Sequence, residues 1–171
     1  THYWQRSDET KLMRAWYCAD GSTSNTLPDS WSVAADQNET GNGYAESDLL
    51  FTAPVEVKFG STANLIFYHP TARIIVNIKK TEGIDSADQI QSVKIGDNNL
   101  ALSGTYTAPS GTGVTTGTWL PGAKDKTITP FKLSQPTDLS KYIASYTALV
   151  IPPNMDGKRL IAIDTELGPH Y

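Results

Sequence analysis

Arg73-Ile-Ile-Val-Asn-Ile-Lys79 puts Ile74, Val76 and Ile78 on one face of an extended chain and Arg73, Ile75, Asn77 and Lys79 on the other. Side chains alternate across a strand with a period of two, so the stretch reads as a half-buried strand. The same period runs through Val55-Glu-Val-Lys-Phe59, and Gly60-Ser61 marks a turn before Ala63-Asn-Leu-Ile-Phe-Tyr68. Gln91-Ser-Val-Lys-Ile95 and Asn99-Leu-Ala-Leu102 flank Gly96-Asp-Asn98, a hairpin-like turn cluster. Further strands are predicted at 114–120, 127–133, 146–151 and 158–164.

Turn clusters separate these segments at spacings close to the roughly 8–12 residues of a sandwich or barrel. No window carries a helical i, i+3, i+4, i+7 stripe; 86–91 and 138–143 could each form one helical turn, the second capped by Asp138. The pattern predicts an all-β, antiparallel fold. Residues 1–52 read differently, with strands at 11–17 and 31–34 among polar loops. So few strands cannot close a sandwich. The segment is either the end of a preceding β-domain or a flap packed on the main one. Pro54 is the predicted boundary, because proline cannot donate to a ladder and favours a strand entrance.

Composition narrows the function classes. The chain has 171 residues, 39% of them hydrophobic and 19% charged, with a net charge of -4. Its pI is near 5.3 and its mean hydropathy is -0.34. A nucleic-acid partner would call for a basic stripe, and a spanning helix for about 18 apolar residues in a row. A single cysteine, Cys18, excludes an internal disulfide framework and a cysteine zinc site. His2, His69 and His170 are too scattered for a local metal motif. The chain begins at Thr1 without methionine or an apolar leader, as a processed or truncated polypeptide would.

A resemblance emerges at Asp36-Gln-Asn, followed by Gly43-Tyr-Ala-Glu-Ser-Asp-Leu-Leu-Phe-Thr-Ala53 and preceded by Tyr3-Trp4 and Arg14-Ala-Trp-Tyr17. It continues through Leu65-Ile-Phe-Tyr-His69, the strand at 73–79, Ala148-Leu-Val-Ile-Pro-Pro153 and Gly157-Lys-Arg-Leu-Ile-Ala-Ile163. In order and spacing, over roughly residues 3–165, these segments resemble the fimbrillin family of pilus subunits and adhesins of Bacteroides-type bacteria. Pro153 stands where that family has glutamine, and Cys18 where it often has proline. The resemblance implies Greek-key, transthyretin-like β-sandwich domains, with 1–52 ending a first domain and 53–171 forming most of a second. It also implies export as an outer-membrane lipoprotein precursor, proteolytic trimming, and assembly on the cell surface by strand donation between subunits.

Strand donation fits the physics of an incomplete sandwich, which leaves one row of backbone groups unpaired above an apolar trough. The residues predicted to line that groove, or an ordinary core, are Leu65, Phe67, Ile74, Val76, Ile78, Leu149, Ile151, Ile161 and Ile163. Their burial is worth roughly 1.5–3 kcal/mol each.

Other residues carry weaker signals. His69 precedes Pro70, which favours extended backbone, and reads as a strand-end histidine. Cys18 lacks a neighbouring cation to activate it and reads as a small apolar residue. The acid pairs Asp36/Glu39, Glu46/Asp48 and Asp85/Asp88 read as solvated turn acids, since glycoside hydrolysis needs two carboxyls facing across a cleft. Asp20–Asn25 and Asp97–Asn99 are oxygen-rich loops without a full calcium pattern. Gly111-Thr-Gly113 lacks the lysine and helix of a phosphate loop. Trp4, Trp16, Trp31 and Trp119 could stack sugars if two shared an exposed face, and otherwise cover the core. Asn38-Glu-Thr40 fits an N-glycosylation acceptor, and Asp85-Ser86-Ala87 resembles an O-glycosylation acceptor at Ser86.

The expectation is a non-enzymatic surface protein with no cofactor or metal, whose partners are neighbouring subunits and possible host or bacterial ligands or glycans. The alternative is a carbohydrate-binding β-sandwich module of surface polysaccharide machinery.

Overall fold

A computed structural model describes residues 4–38 and 41–170. In chain order the first half holds β1 (Thr10–Met13), β2 (Trp16–Cys18), β3 (Ser30–Ser32), the single-turn helix α1 (Gly43–Glu46), β4 (Leu49–Thr52), β5 (Val55–Lys58), β6 (Phe67–Tyr68) and β7 (Ala72–Lys79). A 3-10 turn at Ala87–Gln89 leads into β8 (Ile90–Leu100) and β9 (Ser103–Thr107). Then come β10 (Thr118–Pro121), β11 (Lys126–Ile128), β12 (Phe131–Lys132), β13 (Tyr142–Val150), β14 (Ile161–Thr165) and β15 (Gly168–His170). The chain is all-β, 45% strand and 4% helix, an antiparallel sandwich.

The strands form five sheets, ordered β1-β5, β10-β9-β3, β11-β8-β14-β15, β12-β13-β7 and β2-β4-β6. The β7–β13 ladder sets the pattern. Ile74, Val76 and Ile78 stand opposite Ala148, Tyr146 and Ala144, and all six face the core. The opposite face of β13 carries Ser145, Thr147 and Leu149, and they too are buried. Buried hydroxyls need partners. Ser145 Oγ donates to Asn77 Oδ1 at 2.6 Å and accepts from Thr137 N–H at 3.0 Å, while Thr147 Oγ1 accepts from Arg73 Nε at 3.1 Å.

The core cluster joins both ends of the chain. Cys18, Trp31, Val33 and Leu49 pack with Val76, Val93, Ile95, Leu100, Ile128, Ala148, Val150 and Ile151. Strands before Pro54 pair with strands after it: β1 with β5, β3 with β9, and β4 with β6. Pro54 itself is fully buried.

Several predicted segments are cut differently. The 11–17 strand is two strands, β1 and β2, and 127–133 breaks into β11 and β12 around buried Pro130, which has no N–H to give a ladder. Only Phe67–Tyr68 of the 63–68 segment is paired. Gly96-Asp-Asn98 makes no hairpin. All three residues take positive φ (95°, 39° and 61°), and the chain bulges within β8. The partner there is β11, with Lys126 opposite Leu100 and Ile128 opposite Ile95, so the surplus residues loop out of the ladder. Residues 138–142 make the single expected turn and no longer helix: Asp138 O accepts from Tyr142 N–H, Asp138 Oδ1 caps the turn by accepting from Ser140 N–H at 2.9 Å, and β13 begins at once. The 86–91 segment does contain the 3-10 turn, capped by Ser86.

Candidate functional site

β7 presents a free strand edge. It spans eight residues, about 26 Å of extended chain. It lies at the end of its sheet, with β13 its sole partner among the described residues. The direction of its free groups follows from bonds on the far side of β13. Ser145 O accepts from Leu133 N–H, and both main-chain groups of Leu149 bond to the Gln37 side chain. Backbone groups of Ser145, Thr147 and Leu149 therefore point away from β7. Antiparallel pairs alternate between bonded and non-bonded, so Arg73, Ile75 and Asn77, opposite those three, aim their N–H and C=O groups at the open edge.

Beneath this edge the apolar row is only partly covered. Val76 is 6% exposed and belongs to the core, while Ile74 and Ile78 are half-buried against it. On β14, Ile161 and Ile163 are also half-buried against the same cluster. β15 pairs with β14 only from Ile163 to Thr165, which leaves Ile161 uncovered on that side.

The other predicted groove residues scatter. Ile151 is fully buried in the core. Leu149 is buried on the opposite face of the sheet, opposite Arg73. Leu65 is half-buried in the loop before β6. Phe67 is 45% exposed on the two-residue edge strand β6. Phe67 lines a cavity of about 650 Å3 shared with Tyr68, Tyr106 and Trp119.

The tryptophans serve packing. Trp31 is 5% exposed and its Nε1 donates to Ser47 O at 2.9 Å, so it has no face free for a sugar ring. Trp119 lies 5.0 Å from Tyr106, centroid to centroid, and donates to Pro70 O. Trp16 is half-buried against the core, and Trp4 meets Phe59 edge-on at 6.1 Å. Cys18 is buried in the core cluster, the small apolar role its sequence context gives it.

Polar candidates are held locally. Asp36 Oδ1 accepts from Asn38 N–H, Asp20 Oδ1 from Ser22 N–H, and Asp97 O from Asn99 Nδ2. Lys80 sits 3.6 Å from Asp85. Asn38 Oδ1 accepts from Lys132 N–H. Glu39 and Thr40, which complete an acid pair and the N-glycosylation pattern, lie outside the described residues, as does His2. Ser86 is half-buried, its Oγ accepting from Asp88 N–H while Gln89 Oε1 accepts from Ser86 N–H. Among the described residues no three metal-ligating side chains converge. His69 is paired: its Nδ1 lies 2.9 Å from Asp48 Oδ1.

That pair borders a second cavity, of about 490 Å3, into which Thr71 and Arg73 also fall. No periodicity pointed to it, because its residues come from separate segments. Burial pushes the Tyr106 and Tyr146 phenols above their ordinary value of 10.0.

The fimbrillin-like family model matches residues 1–168, nearly the whole chain. The chain belongs to the fimbrillin-like family. No curated protein and no solved structure matches it. Membership places this fimbrillin-like chain among structural, fimbrial proteins of the cell surface that associate with other pilus subunits. No helix among its described residues is long and apolar enough to cross a membrane.

Proposed function

We propose that this fimbrillin-like chain is a non-enzymatic pilus subunit or adhesin that joins its neighbours by accepting a donated β-strand at the free edge of β7. The observation that carries the reading is that edge: eight residues paired on one side, with backbone groups of Arg73, Ile75 and Asn77 unpartnered among the described residues, above half-buried Ile74 and Ile78. An incoming strand would complete the ladder and bury alternate apolar side chains, with no bond made or broken. Arg73 and Lys79 beside the edge oppose indiscriminate pairing, as charged residues do on natural edge strands. Within this reading fall a transthyretin-like Greek-key topology, lipoprotein export to the outer membrane, proteolytic trimming, and glycosylation at Ser86, whose hydroxyl would first have to leave its cap.

Amide hydrogen exchange, compared between isolated subunit and assembled fibre, tests the edge. The Arg73, Ile75 and Asn77 amides should exchange quickly in the subunit and slowly in the fibre. Slow exchange in the isolated chain, or fast exchange persisting in fibres, would overturn the assignment.

A further inference from the structure

The outer face of β7 carries a feature that strand acceptance does not use. Arg73 projects there, opposite Leu149, and lines the cavity of about 490 Å3 together with Tyr44, Asp48, His69 and Thr71. That volume lies within the roughly 300–1,000 Å3 of small-molecule sites.

Three properties of the lining define a ligand chemistry. The guanidinium of Arg73 is oriented by one bond, Nε to Thr147 Oγ1 at 3.1 Å, and its two terminal nitrogens have no partner among the described residues. Thr147 in turn reaches Tyr44 Oη at 3.5 Å, tying the arginine to the cavity wall. A guanidinium presented this way offers a fork that matches a carboxylate. Next, Thr71 is 6% exposed, and its hydroxyl is the sole buried side-chain polar atom among the described residues that has no hydrogen-bond partner. A buried hydroxyl is normally satisfied; Thr71 Oγ1 has less than 1 Å2 of its own surface accessible, so a ligand group would satisfy it once the side chain turns toward the cavity that Thr71 lines. Last, Tyr44 and Leu149 contribute apolar surface, while the Asp48–His69 pair adds a donor and an acceptor at the rim.

We infer that this cavity binds a sugar acid, a pyranose carrying one carboxylate. The carboxylate pairs with Arg73, ring hydroxyls meet Thr71 and the Asp48–His69 pair, and the apolar face of the ring lies against Tyr44 and Leu149. The inference is independent of strand acceptance, since the cavity lies on the face of β7 opposite Ile74, Val76 and Ile78.

The test is an NMR titration of the full chain with glucuronate, with glucose, acetate and N-acetylglutamate as separate arms. Glucuronate should give saturable shifts at Tyr44, His69, Thr71 and Arg73, and the other three should bind at least about tenfold more weakly, one charge-assisted contact or its equivalent being lost. Arg73→Gln and Arg73→Lys should each weaken glucuronate by about tenfold, the lysine because it keeps the charge and loses the fork. Thr71→Val should weaken binding and Thr71→Ser should restore it, with melting temperatures unchanged between those two variants. Acetate binding as well as glucuronate would reduce the site to an anion contact and overturn the inference. So would tighter binding of N-acetylglutamate, which would indicate a peptide carboxylate, or an absence of shifts at these residues.

Discussion

The side-chain amide of Gln37 makes two hydrogen bonds to the main chain of Leu149, 112 positions away: Oε1 accepts from Leu149 N–H at 2.9 Å, and Nε2 donates to Leu149 O at 2.7 Å. Gln37 is fully buried. It behaves as a fragment of strand laid against β13 beyond the start of β12, whose first residue, Phe131, stands opposite Thr147.

Gln37→Leu should therefore be costly although it adds apolar bulk. Each buried backbone group left without a partner costs about 1–3 kcal/mol, so a loss of roughly 2–4 kcal/mol is expected. Urea unfolding measures it. A change within about 0.5 kcal/mol would mean that these bonds contribute nothing net.

Cys18, Trp31 and Leu49 share one core with Val76, Ile95 and Ile151, and the Gln37–Leu149 bonds also cross the Pro54 boundary. A chain built this way should unfold in one cooperative step, followed alike by tryptophan fluorescence and far-ultraviolet circular dichroism. A division at 52/53 into independent domains predicts two steps, and residues 53–171 alone would then keep their strand signal.

Gly96 should tolerate no side chain. Its φ of +95° disfavours any L-residue, and a Cβ there would overlap the Leu100 side chain. Gly96→Ala is expected to cost about 1–3 kcal/mol. Gly21, also at positive φ but with open space around the Cβ position, is the control and should lose less.

Alkaline pH should unfold the protein through Tyr106 and Tyr146, whose phenols burial pushes above 10.0. Below that value both phenols are neutral in the folded and unfolded chains, and their contribution is fully present. As pH rises past it, the unfolded chain ionises first and stability falls until the folded-state values are passed. Tyrosinate absorbance should show groups titrating late, together with loss of structure. Titration of all eight tyrosines at the free value, with the fold intact, would contradict this.

β7 was legible in the sequence because both of its faces differ: isoleucine and valine inward, Arg73, Asn77 and Lys79 outward. β4 was not, because Leu49, Phe51 and Thr52 are all buried and no alternation survives. β9 escaped for the opposite reason: its inward positions are Gly104 and Tyr106, and a glycine carries no hydrophobic signal. The Gly96–Asn98 cluster marked a break in regular backbone but not its kind, since whether a left-handed stretch makes a hairpin or a bulge depends on the strand opposite. Leu149 read as lining the same groove as Ile151, although the sheet places it on the far face beside Arg73. For the cavity nothing in the sequence sufficed: Tyr44 in α1 and Asp48 just before β4 meet Thr71 and Arg73, at the start of β7, only in the folded chain.

The antiparallel run of β7 on β13, from Ala72 opposite Val150 to Ile78 opposite Ala144, also has a mechanical meaning. Tension that drags the two strands lengthwise past each other strains every rung together, whereas tension that lifts one end breaks the rungs in succession. A thread pulled along the strand axis should thus hold to much higher force than one pulled across it, a difference that stretching single molecules through cysteines at the two kinds of attachment point would measure.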